Sequence, residues 1–424
     1  MKTKTEPISE QLTSLASSCA GGLSDAVFFD IETTGLSPKS AFCYLIGAAL
    51  LEDGRFVLCQ YLAEDLSEEE AVLRAFAERI RSKGRAFHFN GTTFDLPFLQ
   101  ARYRRYGLEC PLGSMEQTDL YRRISPFKNL LKLSNCKLKT LEEFLGDRRK
   151  DPFTGGELIA LYHTYRQERD DRLLQVLLLH NAEDILGMLS VLSMLAYPAL
   201  CDALPAAKEA ALSPCTDYAG KAQKELLLPL RLRLSLPRPL ALHADGVFFS
   251  GKDDSGLLKI PVFCGELKYF YPDHKNYSYL PEEDCAIHKS VAIYVDKSHR
   301  IPATPETCYT RKTGEFLPLF LPSGSGEAAL EEERFAPLFF RQSPFSHSSG
   351  RAASRKGRNT ASGQQASRNS SAAASPGNVS ARRQPSQKPA SFREGYFEAK
   401  EAFLSDFSLL SAYASHLLRH LLKG

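Results

Sequence analysis

The stretch Val27-Phe28-Phe29-Asp30-Ile31-Glu32-Thr33-Thr34-Gly35-Leu36 constrains this chain most tightly. Three apolar residues lead into two carboxylates that flank one β-branched residue, and a Thr-Thr-Gly turn follows. An apolar lead of this kind belongs to a buried strand in the middle of a sheet. Side chains on a strand alternate, so Asp30 and Glu32 project to the same side, one step apart. Burying two carboxylates is costly unless a positive charge sits between them. A divalent ion meets that need, since Mg²⁺ and Mn²⁺ prefer carboxylate oxygen. Read alone, the pair fits equally well a strand running out into solvent with two acids at its end.

The following residues supply the rest of such a sheet. Ala41–Leu51 is a second apolar run, and Arg55–Leu62 alternates as a third strand after the turn Glu52-Asp53-Gly54. Ser67-Glu68-Glu69-Glu70 reads as a capping box that opens an amphipathic helix to about Ser82. Arg85–Phe89 is a fourth strand. The order strand, hairpin, strand, helix, strand predicts an α/β domain with a mixed sheet flanked by helices. Thr93 is placed to cap the next helix, with Asp95 at its N-terminus and a basic face along Gln100–Tyr106. Lys137–Gly146 reads as a short helix stopped by glycine, followed by helices over Gly156–Arg169 and Leu173–Ala196. The last is apolar over most of its circumference and is therefore buried, with His180 and Asp184 on one stripe.

The segments DIETTGL, NGTTFDLPFL and HNAEDILGM, in that order, resemble the three motifs of the DEDD 3′–5′ exonucleases, which have a ribonuclease H-like fold. Within them the resemblance is to the YprB-like group of predicted exonucleases. It spans roughly Asp25–Leu200 and takes in KTLEEFLG and DPFTGGELIALYHTYR. It implies that Asp30, Glu32, Asp95 and Asp184 hold two Mg²⁺ or Mn²⁺ ions about 3.5–4 Å apart. One ion would activate a water and the other would steady the leaving 3′ oxygen. Thr33, Thr34, Gly35 and Leu36, with Asn90, would line a pocket for the terminal nucleotide, and Phe94 would stack on a base. In these enzymes the water is handled by a histidine five residues before the last aspartate or a tyrosine four before. Here His180 stands four before Asp184, a histidine in the tyrosine frame, and imidazole suits general-base work near neutral pH. The alternative for His180 is a packed core residue beside a working four-acid site. The activity implied is hydrolysis from the 3′ end of DNA or RNA, releasing nucleoside 5′-monophosphates. The alternatives are a structure-specific endonuclease on the same fold and a nucleic-acid-binding scaffold without catalysis.

The remaining chain divides by texture. Residues 1–24 read as a flexible lead-in, 25–200 as the α/β domain, 201–224 as a linker and 225–340 as a smaller β-rich C-terminal domain. In the last, Tyr269, Tyr271, Tyr277 and Tyr279 interleave with Lys268, His274 and Lys275, which fits single-strand stacking or ordinary packed strands. Ten of the 53 Lys and Arg lie between Arg341 and Arg393, where no acid occurs; the rest of the chain has 43 against 50 acids, so the net +3 belongs to that segment alone. Its Ser, Ala, Gly and Gln content predicts a disordered basic linker over 341–393, suited to phosphate contacts or to plain spacing. Residues 394–424 carry helical apolar periodicity and need a surface to dock on. The ten cysteines include no CxxC and no close Cys/His quartet, which argues against a zinc module. No apolar run reads as membrane-spanning or as a signal-peptide core, so a cytoplasmic, reduced protein is expected.

Overall fold

A six-stranded sheet is built on the strand that carries Asp30 and Glu32. Its strands are β1 (Lys2–Pro7), β2 (Ala26–Thr33), β3 (Cys43–Glu52), β4 (Arg55–Leu62), β5 (Arg85–His88) and β6 (Glu116–Asp119), in the spatial order β1-β4-β3-β2-β5-β6. The first four pair antiparallel, while β2, β5 and β6 run parallel. The helices of this region are α1 (Glu10–Ala20), α2 (Glu69–Ile80), α3 (Asp95–Arg105), α4 (Leu120–Ile124), α5 (Leu138–Leu145), α6 (Gly155–Glu168) and α7 (Asp171–Val191). In this computed structural model the described residues are 1–150, 152–202, 205–207, 209–216, 220–322, 326–345 and 392–423.

Alternation along β2 decides which face does what. Val27, Phe29 and Ile31 enter one core with Val72, Leu73 and Phe76 of α2 and Phe98, Leu99 and Tyr103 of α3. The other face belongs to the later helices, where Tyr44, Leu45 and Leu62 pack with Tyr162 and Tyr165 of α6 and Leu174, Leu177 and Leu178 of α7. Asp30 and Glu32 lie on this second face. The stretch Asp171–Cys201 that includes α7 is long and apolar enough to cross a bilayer, against the expectation that no run is; 61 % of its most apolar window is nevertheless buried within the protein. It is a core helix that carries polar groups to the acids of β2.

Several local expectations are corrected. Residues 1–24 are not a loose lead-in: β1 pairs along β4 from Lys2–Leu62 to Pro7–Val57, and α1 follows, capped by Ser9. Asp65 caps a short 3₁₀ turn ahead of α2, and no side chain caps α2 itself. The two-way capping box occurs instead at Thr154 and Glu157, opening α6. Thr93 does not cap α3; its hydroxyl donates to the Asn90 carbonyl (2.9 Å), and Asp95 is the first helical residue.

Arg102, part of the expected basic face, is completely buried against Glu69. The pair ties four segments together. Glu69 accepts from the Cys43 N–H (2.7 Å) and the Tyr106 hydroxyl (2.8 Å), while Arg102 donates to Glu69 and to the Pro38 carbonyl (2.9 Å). It thereby anchors the loop that leaves β2. Breaking a buried pair from one side leaves a bare charge in the core.

The chain forms two compact units. One comprises Met1–Ser213, Leu226–Ile260 and Glu401–Leu422; the other Pro214–Glu225, Pro261–Lys400 and Lys423–Gly424. The boundaries at 225 and 394 therefore shift: Leu226–Ile260 and the terminal helix Phe407–Lys423 go with the α/β body. In that helix Leu410, Tyr413, Ala414, Leu417 and Leu418 are buried, and His420 Nε2 lies 2.8 Å from Asp245 Oδ2. The second unit centres on antiparallel pairing of Phe263–Phe270 with Tyr309–Phe316 and of Phe316–Pro322 with Phe392–Glu398. Most of the segment 341–393 lies outside the described residues; Phe392 and Arg393 already belong to a strand.

Arg102→Met should cost about 3–5 kcal/mol, because it strands Glu69 in the core. Denaturant unfolding of full-length protein checks this, and a change below about 1 kcal/mol would contradict the anchoring role.

Candidate active site

Four acids meet between the end of β2 and the middle of α7. Asp30 and Glu32 come from β2 by alternation, Asp95 from the first turn of α3, and Asp184 from α7. One strand and two helices supply them, and the fold brings them together. Glu32 and Asp95 are buried; Asp30 and Asp184 are half-buried.

Asp95 is held against β2. Its carboxylate accepts from its own N–H and from the Ile31 N–H, but burial outweighs both and, with Asp119 and Asp184 nearby, pushes its pKa up to about 7. Asp30 is raised well above the usual carboxylate range, first by burial and then by Asp184, Asp95 and Glu32. The Asn181 amide offsets this in part by donating to Asp30 Oδ2 (3.2 Å). Asn181 is itself oriented by Gln60, which donates to Asn181 Oδ1 (3.0 Å) and to the Leu178 carbonyl (2.8 Å). Gly47 makes room for this relay, since a Cβ there would lie 2.1 Å from Asn181 Oδ1.

His180 Nε2 sits 3.3 Å from Asp184 Oδ2 and 3.6 Å from Glu32 Oε1, so the histidine enters the acid cluster rather than a packed core. Glu32, His180 and Asp184 offer three ligand atoms within 4.8 Å of one another. The carboxylate oxygens of Asp30, Glu32, Asp95 and Asp184 are the donors that Mg²⁺ and Mn²⁺ prefer, and a divalent ion would relieve the repulsion among these crowded acids. The residues present therefore fit a divalent ion.

A cleft of about 390 Å³ opens on Asp30 and Asp184 and is lined by Phe89, Asn90, Tyr121, Asn135, Lys137 and Leu138 among others. Asn90 has φ of 60°, and its N–H is held by Asp119 Oδ1 (2.9 Å). Of the residues expected to contact a nucleotide, Asn90 faces this cleft. Thr33 and Thr34 shape the turn: the Thr33 hydroxyl donates to the Gly35 carbonyl (2.9 Å) and Thr34 Oγ1 accepts from the Phe42 N–H (2.9 Å). Leu36 is 83 % exposed at the tip of that loop. Phe94 is half-buried and packs against the core with its ring 5.5 Å from Phe98. Tyr121, on the short helix α4, and Lys137, just before α5, line the cleft without having been singled out, since a lone tyrosine or lysine carries no periodic signal.

The geometry can now be set beside known proteins. Residues 27–196 match the family model described as RNase_H superfamily. This stretch has a ribonuclease H-like fold. The YprB protein of Bacillus subtilis (strain 168) is 28 % identical over 170 residues, which are 39 % of this chain and 40 % of that one. The chain thus matches less than half the length of that relative. Among solved structures, the family B DNA polymerase of Pyrobaculum calidifontis overlaps at a TM-score of 0.32 with 15 % identity, over 60 % of this chain and 36 % of the polymerase. E. coli exonuclease I in complex with a dT13 oligonucleotide overlaps at 0.25 with 15 % identity, over 49 % and 55 %. Overlaps of this extent carry no argument about the site.

Because Asp95 is raised to about 7, the folded chain keeps a proton there that the unfolded chain releases near pH 4. The stability this supplies is present below pH 4 and lost as pH rises through 7. In EDTA, Asp95→Asn should therefore gain about 1 kcal/mol or more relative to wild type on going from pH 5 to pH 8. Urea unfolding at the two pH values checks this; a pH-independent difference would contradict it.

Proposed function

We propose that this protein is a metal-dependent 3′–5′ exonuclease that hydrolyses phosphodiester bonds at nucleic-acid 3′ ends and releases nucleoside 5′-monophosphates. The observation that carries the reading is the convergence of Asp30, Glu32, Asp95 and Asp184 with His180 in one acid cluster, two of whose members open on a cleft, in a ribonuclease H-like fold. Asp30, Glu32, Asp95 and Asp184 would hold two Mg²⁺ or Mn²⁺ ions, which supply charge to activate water and to stabilise the leaving 3′ oxygen.

The protein's own groups divide the remaining work. His180 Nε2 is the site that takes the proton of the attacking water, between the carboxylates of Glu32 and Asp184. Lys137, exposed on the cleft wall, pairs with phosphate. Tyr121, packed edge-on against Phe89 with ring centroids 5.9 Å apart, offers an exposed aromatic edge to the terminal nucleoside. Asn90, fixed by Asp119, supplies an amide at the same wall. The tyrosines of the second unit do not join this reading as a stacking platform. Tyr271 and Tyr277 stack on each other at 4.4 Å, and the Tyr279 hydroxyl is bound to Asp284 at 2.6 Å.

The test is a degradation assay on matched 5′-labelled, 3′-tailed DNA and RNA oligonucleotides with Mg²⁺ or Mn²⁺ against EDTA. A ladder shortening from the 3′ end is expected for wild type, with at least 1000-fold loss in Asp184→Ala, roughly 4 kcal/mol of barrier. Cleavage of a circular single strand would instead favour an endonuclease, and full activity in Asp184→Ala would sink the four-acid site.

A further inference from the structure

One strong cation already stands inside the acid cluster, and it comes from outside the three motifs. After α5 ends at Gly146, with φ of 99°, the chain runs as a strap along α7. Asp147 accepts from Ser190, Arg149 reaches Asp184, and the Lys150 N–H donates to Glu183 Oε1 (2.9 Å). Arg149 is only 11 % exposed. Its guanidinium is gripped by both oxygens of Glu142, at 2.5 and 2.9 Å, while Nη1 donates to Asp184 Oδ1 at 2.5 Å.

Glu142 is buried on α5, and α7 must come close for it to reach the arginine. Gly187, one turn beyond Asp184, permits this, because a Cβ there would stand 1.5 Å from Glu142 Oε1. The fork-to-carboxylate grip uses Nε and Nη2 together, which fixes the guanidinium plane. Arg149 therefore cannot leave for a substrate phosphate without stranding a buried carboxylate. Its third donor is aimed at Oδ1 of Asp184, while Oδ2 of the same group faces His180.

We propose that Arg149, locked by Glu142, is a positioning residue that holds Asp184 by one oxygen and presents the other to the metal site with Glu32. This rests on the four-acid reading above and adds to it a resident partner that sets the angle of one ligand. Partners that orient a ligand typically shift metal affinity by about 10–100-fold when removed. Together with the Gln60–Asn181 relay on Asp30, it supports the cluster from two sides, each through a glycine.

The experiment is a Mn²⁺ titration of full-length protein followed by thermal unfolding, with wild type, Arg149→Gln, Arg149→Lys and the double variant Glu142→Gln/Arg149→Gln. The double variant neutralises both buried partners and keeps a folded protein available if Arg149→Gln alone is unstable. The expected result is a Mn²⁺ midpoint raised about 10-fold or more in the variants. Lysine is not expected to restore it, because a single ammonium lacks the fork. A midpoint equal to or below that of wild type in the folded variants would overturn the role and leave Arg149 as a structural ion pair. If wild type itself shows no Mn²⁺-linked shift, the metal reading fails, and this inference with it.

Discussion

The structure depends on keeping four carboxylates together, two of them buried beneath the cleft, despite their mutual repulsion. Folding alone does not favour this: burial and the neighbouring acids raise both Asp30 and Asp95. What holds them is a set of rigid donors. The Ile31 N–H fixes Asp95, the Asn181 amide fixes Asp30, and Arg149 fixes Asp184. Two of these supports are themselves held, Asn181 by Gln60 on β4 and Arg149 by Glu142 on α5. The cluster is thus a strained charge arrangement built into a stiff scaffold, as a cation-binding site requires.

Much of this was legible in the sequence because the signals were local. The apolar lead to Asp30 gave the central strand, the Glu52-Asp53-Gly54 turn gave the hairpin, and Arg55–Leu62 matches β4 end to end. Spacing placed His180 and Asp184 on one stripe of α7, and the ordered motifs singled out all four acids. The family match over 27–196 bears out the ribonuclease H-like fold that those motifs implied.

What sequence missed depends on long-range contact. KTKTEP at β1 has no apolar alternation, and it becomes a strand only because the edge of β4 is free to pair. Arg102 looked like one more cation on a basic helix until Glu69, 33 residues earlier, came beneath it. Gly47 and Gly187 carry no local turn signal, and their purpose appears only when Asn181 and Glu142 fill the space a Cβ would take. The terminal helix docks on the α/β body after a long separation in sequence, which no periodicity could have specified.

The most direct test of the central claim is anomalous diffraction from crystals soaked in Mn²⁺. Two anomalous peaks coordinated by Asp30, Glu32, Asp95 and Asp184, about 3.5–4 Å apart, are the result expected of a two-ion site. A map with manganese bound elsewhere, and these four carboxylates free of it at saturating ion, would contradict the claim.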